Sequence, residues 1–263
     1  MAVAGFAQQA YTGFDRNIYP GDAALPALHK NFAFTGYWLN TPPGARSNNW
    51  VGKRNVVKAA GFGFLVLFNG KLEAQLKGRN PRAAGEADAL TAVASAKNEG
   101  FPSGVRIFLD IEEGGRMTEV QATYIFAWVD AVRNAGARAG VYCSGIDVRE
   151  DAHTIISTAR DLVARDAARR KTGEEPLKLW VANDACPPAP GCAMSARPPA
   201  AGVAHEIAKN TMVWQYAQSP RRMEFSKACP KNAAADGNCY APGVPAIFVD
   251  LNTATTSDPS EGR

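Results

Sequence analysis

Two carboxylates separated by one residue, at the end of an apolar run, are the sharpest chemical feature of this chain. They are Asp110 and Glu112 in Phe108-Leu109-Asp110-Ile111-Glu112. Side chains alternate along a strand, so these two positions share a face and Ile111 turns the other way. The strand rise sets their Cα atoms roughly 6.5 Å apart. Carboxylates that close repel, and one of them holds its proton to higher pH. A proton-holding acid beside a charged carboxylate suits glycoside hydrolysis. One group protonates the departing oxygen, and the other stabilises positive charge at the anomeric carbon. Read alone, the pair equally fits a polar strand end that caps a helix or meets lysines. Two further acids favour the functional reading. Asp15 ends Gly13-Phe14-Asp15, and Asp250 lies in Phe248-Val249-Asp250-Leu251-Asn252. Glu113 is expected to point away from this group.

Aromatic and amide side chains gather at other apolar runs. Tyr37, Trp38, Tyr142, Trp180 and Gln215 are candidates for substrate binding. Sugar rings stack on aromatic faces, and amides bridge hydroxyls. Core packing competes for each aromatic. In Trp214-Gln215-Tyr216, alternation sets Gln215 opposite its neighbours. An amide has no good partner among outer helices, so Gln215 is placed inside.

The elements that must position these residues alternate. Strand patterns cover 12–15, 34–39, 62–68, 105–112, 138–144, 177–183, 211–217 and 246–251. Helix patterns cover 22–31, 49–60, 81–99, 118–135 and 150–170, and Gly61, Gly100 and Gly136 serve as stops. Alternation argues for an α/β fold with a parallel sheet inside helices, and eight strands argue for closure. The expected fold is a (β/α)8-type TIM barrel, irregular in its last third, where connections are rich in Pro, Gly and Cys. An open doubly wound sheet lacks its Gly-x-Gly-x-x-Gly turn. Chemistry on such a barrel sits at the C-terminal ends of the strands, and the first and last strands are neighbours. One domain is expected over 11–253, with flexible termini at 1–10 and 254–263.

Composition bounds the partners. The chain has 263 residues, 46% of them hydrophobic, and a net charge of +4. That is a globular composition with a mild basic excess, which suits an anionic cell-wall polymer and makes no case for nucleic acid. No apolar run is long enough to span a bilayer. A monomer is expected. Cys186 and Cys192, and likewise Cys229 and Cys239, flank loop-like sequence, and each pair can close a short loop as a disulfide. Free thiols are the alternative, and the spacing is poor for zinc. Cys143 reads as a small buried hydrophobe. Disulfides imply export, although the first residues form no complete signal peptide. Only His29, His153 and His205 are available for a metal-dependent hydrolase, all away from strand ends, so no metal or other cofactor is expected. Ser144 has no evident His partner and no Gly-x-Ser-x-Gly elbow.

The ordered set of motifs resembles a known group. Gly-Phe-Asp (13–15), Leu-Asp-Ile-Glu (109–112), Gly-Val-Tyr-Cys-Ser (140–144), Trp-Gln-Tyr (214–216) and Val-Asp-Leu-Asn (249–252) look like those of glycoside-hydrolase-like barrels related to family 25 lysozymes. The domain-of-unknown-function 1906 branch, the Rv2525c-like group, is the best match. The resemblance spans roughly residues 11 to 253. It implies Glu112 as general acid and Asp110 as stabiliser of the reacting centre, with Asp15 and Asp250 completing the cleft. It implies the glycan of bacterial peptidoglycan as substrate, cut as a muramidase cuts it, outside the cytoplasm and without a cofactor. The alternative is a barrel that binds a cell-wall glycan and does not cut it.

Overall fold

The computed structural model describes residues 10–183, 207–218, 247 and 249–263. Eight strands close a barrel, as the alternation predicts. They are β1 (Tyr11–Asp15), β2 (Phe34–Trp38), β3 (Gly63–Asn69), β4 (Arg106–Asp110), β5 (Arg138–Ser144), β8 (Lys178–Ala182), β9 (Thr211–Ala217) and β10 (Asp250–Ala254). Two short strands, β6 (Val148–Arg149) and β7 (Ile155–Ile156), form a separate ribbon. The helices are α1 (Leu25–His29), α2 (Arg54–Ala59), α3 (Glu73–Leu76), α4 (Pro81–Asn98), α5 (Glu119–Asn134) and α6 (Thr158–Arg169).

Local chemistry explains the long helices. Asn80 caps α4 by accepting from the Ala83 N–H at 3.2 Å, and Pro81 fits the first turn. Thr118 and Gln121 form a capping box at α5. Gly85 of α4 lets the two helices meet: a Cβ there would lie 2.3 Å from the Tyr124 carbonyl oxygen. Gly61, Gly100 and Gly136 follow their helices with positive φ, the conformation that ends a helix. The expected helix over 150–170 is shorter, because the β6–β7 ribbon takes its first residues and Ser157 caps what remains.

The last strand departs from expectation. Strands β1 to β5, β8 and β9 run parallel, but β10 is antiparallel to both neighbours, β1 and β9. It also lies later in the chain than the predicted 246–251. Asp250 therefore begins its strand instead of ending it. The reversal brings that beginning to the rim where β1 ends, and Asp250 pairs in register with Asp15.

Residues 254–263, expected as a flexible tail, are packed. Ala254 closes β10, and Ser260 is fully buried. Asp258 accepts from the Phe64 N–H at 2.8 Å, Ser260 Oγ accepts from the Val66 N–H at 2.8 Å, and Arg54 donates to the Gly262 carbonyl at 2.7 Å. The segment satisfies backbone groups at the start of β3 that would otherwise be buried unpaired. Gly63 allows this approach, since a Cβ there would sit 1.9 Å from the Ser257 carbonyl oxygen. Asp258→Ala removes a charged acceptor and is expected to lower stability by about 1.5–3 kcal/mol. A thermal melt that matches wild type would show that the segment contributes nothing.

Candidate active site

Alternation sorts the strand residues between the barrel interior and the helix layer. Asp15 is buried inside, and its Oδ1 accepts from Asn252 Nδ2 at 2.7 Å and Gln215 Nε2 at 2.9 Å. Gly36 of β2 faces it, and a Cβ at that position would lie 2.7 Å from the Asp15 Cβ. Glycine thus makes the space that the acid fills. Burial pushes the Asp15 carboxyl up to about 6, against the pull of its two amide donors.

Asp110 ends β4 and pairs in register with Tyr142 of β5, which in turn pairs with Trp180 of β8. Asp110 is 4% exposed, and neither of its carboxylate oxygens has a hydrogen-bond partner among the described residues. Burial, then the charges of Glu112 and Asp15, raise its pKa well above the usual carboxylate range. The proton-holding member of the pair is thus the buried one.

Glu112 lies beyond the end of β4, exposed, and accepts no hydrogen bond among the described residues. The sequence reading extends the strand to 112, but regular pairing stops at Asp110, with one further bond from the Ile111 N–H to the Tyr142 carbonyl at 3.0 Å. Glu113 points elsewhere, as expected: it accepts from the Glu73 N–H and from Gln121 Nε2.

Tyr142 shows that the four acids are gathered. Its phenol is raised by burial and then by the charges of Asp110, Asp15, Asp250 and Glu112. Its hydroxyl donates to Gln215 Oε1 at 2.8 Å, and Gln218 donates to the same oxygen at 3.0 Å. Trp180 packs edge-on against Tyr142 with ring centroids 4.6 Å apart, and its indole N–H donates to Asn252 Oδ1 at 2.8 Å. At 1% exposure Trp180 is floor, with no open face for a sugar. Trp38 donates to the Arg16 carbonyl at 3.1 Å, just past Asp15.

Tyr37 does not belong to this group. It faces the helix layer, where its ring packs against Trp50, Phe64 and Phe101 and its hydroxyl bonds the Trp50 carbonyl and Glu99. Alternation beside Trp38 dictates this. Asn252 and Gln218 escape the sequence reading. Spacing of two from Asp250 marks Asn252, while Gln218 lies past the end of β9 and carries no periodic signal. Asn252→Ala strips a donor from Asp15 and the acceptor from Trp180. It is expected to cost about 2–4 kcal/mol and to lower the Tm by about 5–10 °C. Carbon-detected titration should place the Asp15 carboxyl above its wild-type value of about 6. An unmoved carboxyl would show that Asn252 does not tune it.

Cys186, Cys192, Cys229, Cys239 and His205 lie outside the described residues. Cys143 is a buried free thiol. Among the described residues, no group of three or more His, Cys, Asp or Glu side chains is arranged to hold a metal ion. No helix among them is long and apolar enough to cross a membrane.

The model of the Rv2525c-like, glycoside hydrolase-like domain matches residues 37–195, more than half of the chain. The chain belongs to this family. Solved structures agree with the fold. A Bacillus stearothermophilus protein of uncharacterised function aligns with TM-score 0.58 and 20% identity, covering 93% of this chain and 95% of that one. The Mycobacterium tuberculosis Tat-secreted protein Rv2525c, in complex with L-tartrate, aligns with TM-score 0.51 and 14% identity over 92% and 94%. The modular autolysin LytC of Streptococcus pneumoniae, in complex with a synthetic peptidoglycan ligand, aligns with TM-score 0.50 and 14% identity, covering 93% of this chain and 46% of that one. At these identities the likeness concerns the fold. No curated protein matches the sequence.

Proposed function

We propose that this family member is a glycoside hydrolase that cuts the glycan of bacterial peptidoglycan. One observation carries the reading: Asp110, buried and without a hydrogen-bond partner among the described residues, stands beside Asp15 and two residues behind the exposed Glu112. A buried, unpartnered carboxyl destabilises a fold and is retained where chemistry needs it. Glu112 is the acid a sugar reaches first, and it delivers a proton to the departing oxygen. Asp110 holds a proton at rest. That proton passes to Glu112 and on to the departing oxygen, the Asp110 carboxylate left behind stabilises the positive charge growing at the anomeric carbon, and the water that adds to this carbon returns a proton to the pair. Asp15, held by Asn252 and Gln215, and Asp250 complete the negative field. Tyr142 meets substrate hydroxyls, and Gln215, buried beneath it, holds Tyr142 and Asp15 in place, with Trp38 beside them at the end of β2. The peptidoglycan ligand of LytC and the secretion of Rv2525c support a cell-wall glycan and an exported protein.

The test is incubation of the purified protein with peptidoglycan, followed by mass spectrometry of soluble products. Muropeptides with new reducing ends are expected. Sedimentation with peptidoglycan and no cleavage would favour a binding barrel and overturn the catalytic reading.

A further inference from the structure

The barrel end opposite the acids holds a recess. It lies where β4 and β5 begin and α5 and α6 finish, and it encloses about 590 Å³. Five cations line it: Arg106, Arg133, Arg138, Arg169 and Lys171. Three carboxylates share the wall, and each is engaged. Asp130 pairs with Arg169, and Glu175 lies 3.4 Å from Arg106 and 3.6 Å from Lys178. Glu174 accepts from the Lys171 N–H at 3.2 Å. Arg138 reaches outward to Glu261 through two hydrogen bonds of 2.5 Å.

Positive charge remains. Among the described residues, Arg133 and Lys171 have no carboxylate partner; Arg133 donates to the Glu175 carbonyl at 3.1 Å. Arg106 is 4% exposed and donates to the Ala139 carbonyl at 3.0 Å, while its Nε has no partner among the described residues. Burial works against the Arg106 charge, Glu175 offsets that, and Arg138 adds like-charge repulsion. Helix ends attract basic side chains, which accounts for Arg133 and Arg169 in the last turns of α5 and α6. It does not account for Arg106 and Arg138 at strand starts, or for Lys171 beyond α6.

We propose that this recess binds a phosphate-bearing ligand. A phosphate monoester carries a charge of about −1.5 to −2 at neutral pH, and it meets two cations left without carboxylates, Arg133 and Lys171, against one carboxylate without a cation, Glu174. Guanidinium forks engage phosphate through paired hydrogen bonds. The volume suits a small molecule or one short stretch of a polymer. The ligand is therefore a free phosphorylated small molecule or the phosphodiester backbone of a polyanion. The recess sits away from Asp110 and Glu112, so this inference stands apart from the glycosidase reading.

Isothermal titration calorimetry at low ionic strength tests it, with sodium pyrophosphate and a glycerol-phosphate oligomer as separate probes. Saturable binding of at least one probe is expected. Arg133→Gln combined with Lys171→Gln should weaken binding by about tenfold or more. Neither residue holds a carboxylate, so the melting curve should stay close to wild type. Glu174→Gln removes an anion from the wall and should tighten binding. Tighter binding of pyrophosphate identifies a free small molecule as the ligand class, and tighter binding of the oligomer identifies a polymer. No saturable binding of either probe, or equal binding by the double variant, overturns the proposal.

Discussion

Glu112→Gln is expected to reduce the release of reducing ends from peptidoglycan by about 10²–10⁴-fold, the usual contribution of a general acid. The fold should not notice. Glu112 is exposed, lies outside β4 and accepts no hydrogen bond among the described residues, so stability should stay within about 0.5 kcal/mol of wild type. That separation is what makes the variant informative. Lost cleavage with an unchanged melt assigns the loss to chemistry. Full cleavage by the variant would remove Glu112 from the mechanism.

Asp110→Asn should move activity and stability in opposite directions. Cleavage should fall by about 10²–10³-fold, the scale of losing one electrostatic contact to the transition state. Stability should rise. The folded chain holds the Asp110 proton to a pH well above 3.8, so between those two values it binds more protons than the unfolded chain. Its stability therefore falls as pH climbs through that window. Asp15 contributes with the same sign between 3.8 and about 6. Asparagine at 110 cannot ionise and escapes the larger part of this loss. Its advantage should be small at about pH 4 and should grow as the pH rises toward about 8. Melting temperatures across that range check the sign. A variant that is less stable than wild type at high pH would mean that Asp110 is not a strained group.

Much of this site is legible in the residues because strand alternation is a strong constraint. The same period of two that joins Asp110 to the interior places Gln215 there, opposite Trp214 and Tyr216. Applied with equal rigour to Tyr37 and Trp38, it sends one of the two outward, and the structure shows which. Direction is not legible. The run 246–251 reads as strand pattern from either end, so nothing local announces that β10 runs against its neighbours. The end of a strand is also weakly marked. Leu-Asp-Ile-Glu continues the alternation past the point where β4 stops pairing. The last residues mislead for a different reason. Thr-Thr-Ser-Asp-Pro-Ser-Glu-Gly-Arg has the composition of a loose end, and its order comes from backbone groups of β3 far away in sequence.

The hydrogen bonds that fix Asp15 have a consequence for how the molecule comes into being. Its two donors are 200 and 237 positions away along the chain. Contacts of such long range form late, because the loop they close is costly until most other structure is in place. A chain emerging from its N-terminus therefore carries Asp15 and Asp110 long before it can hold Asp15 still. The constellation comes together only when β10 slots between β9 and β1, in the step that also seals the barrel. Closure of the barrel and assembly of the acids coincide, and any fragment that stops short of Asn252 lacks one of the two donors that hold Asp15.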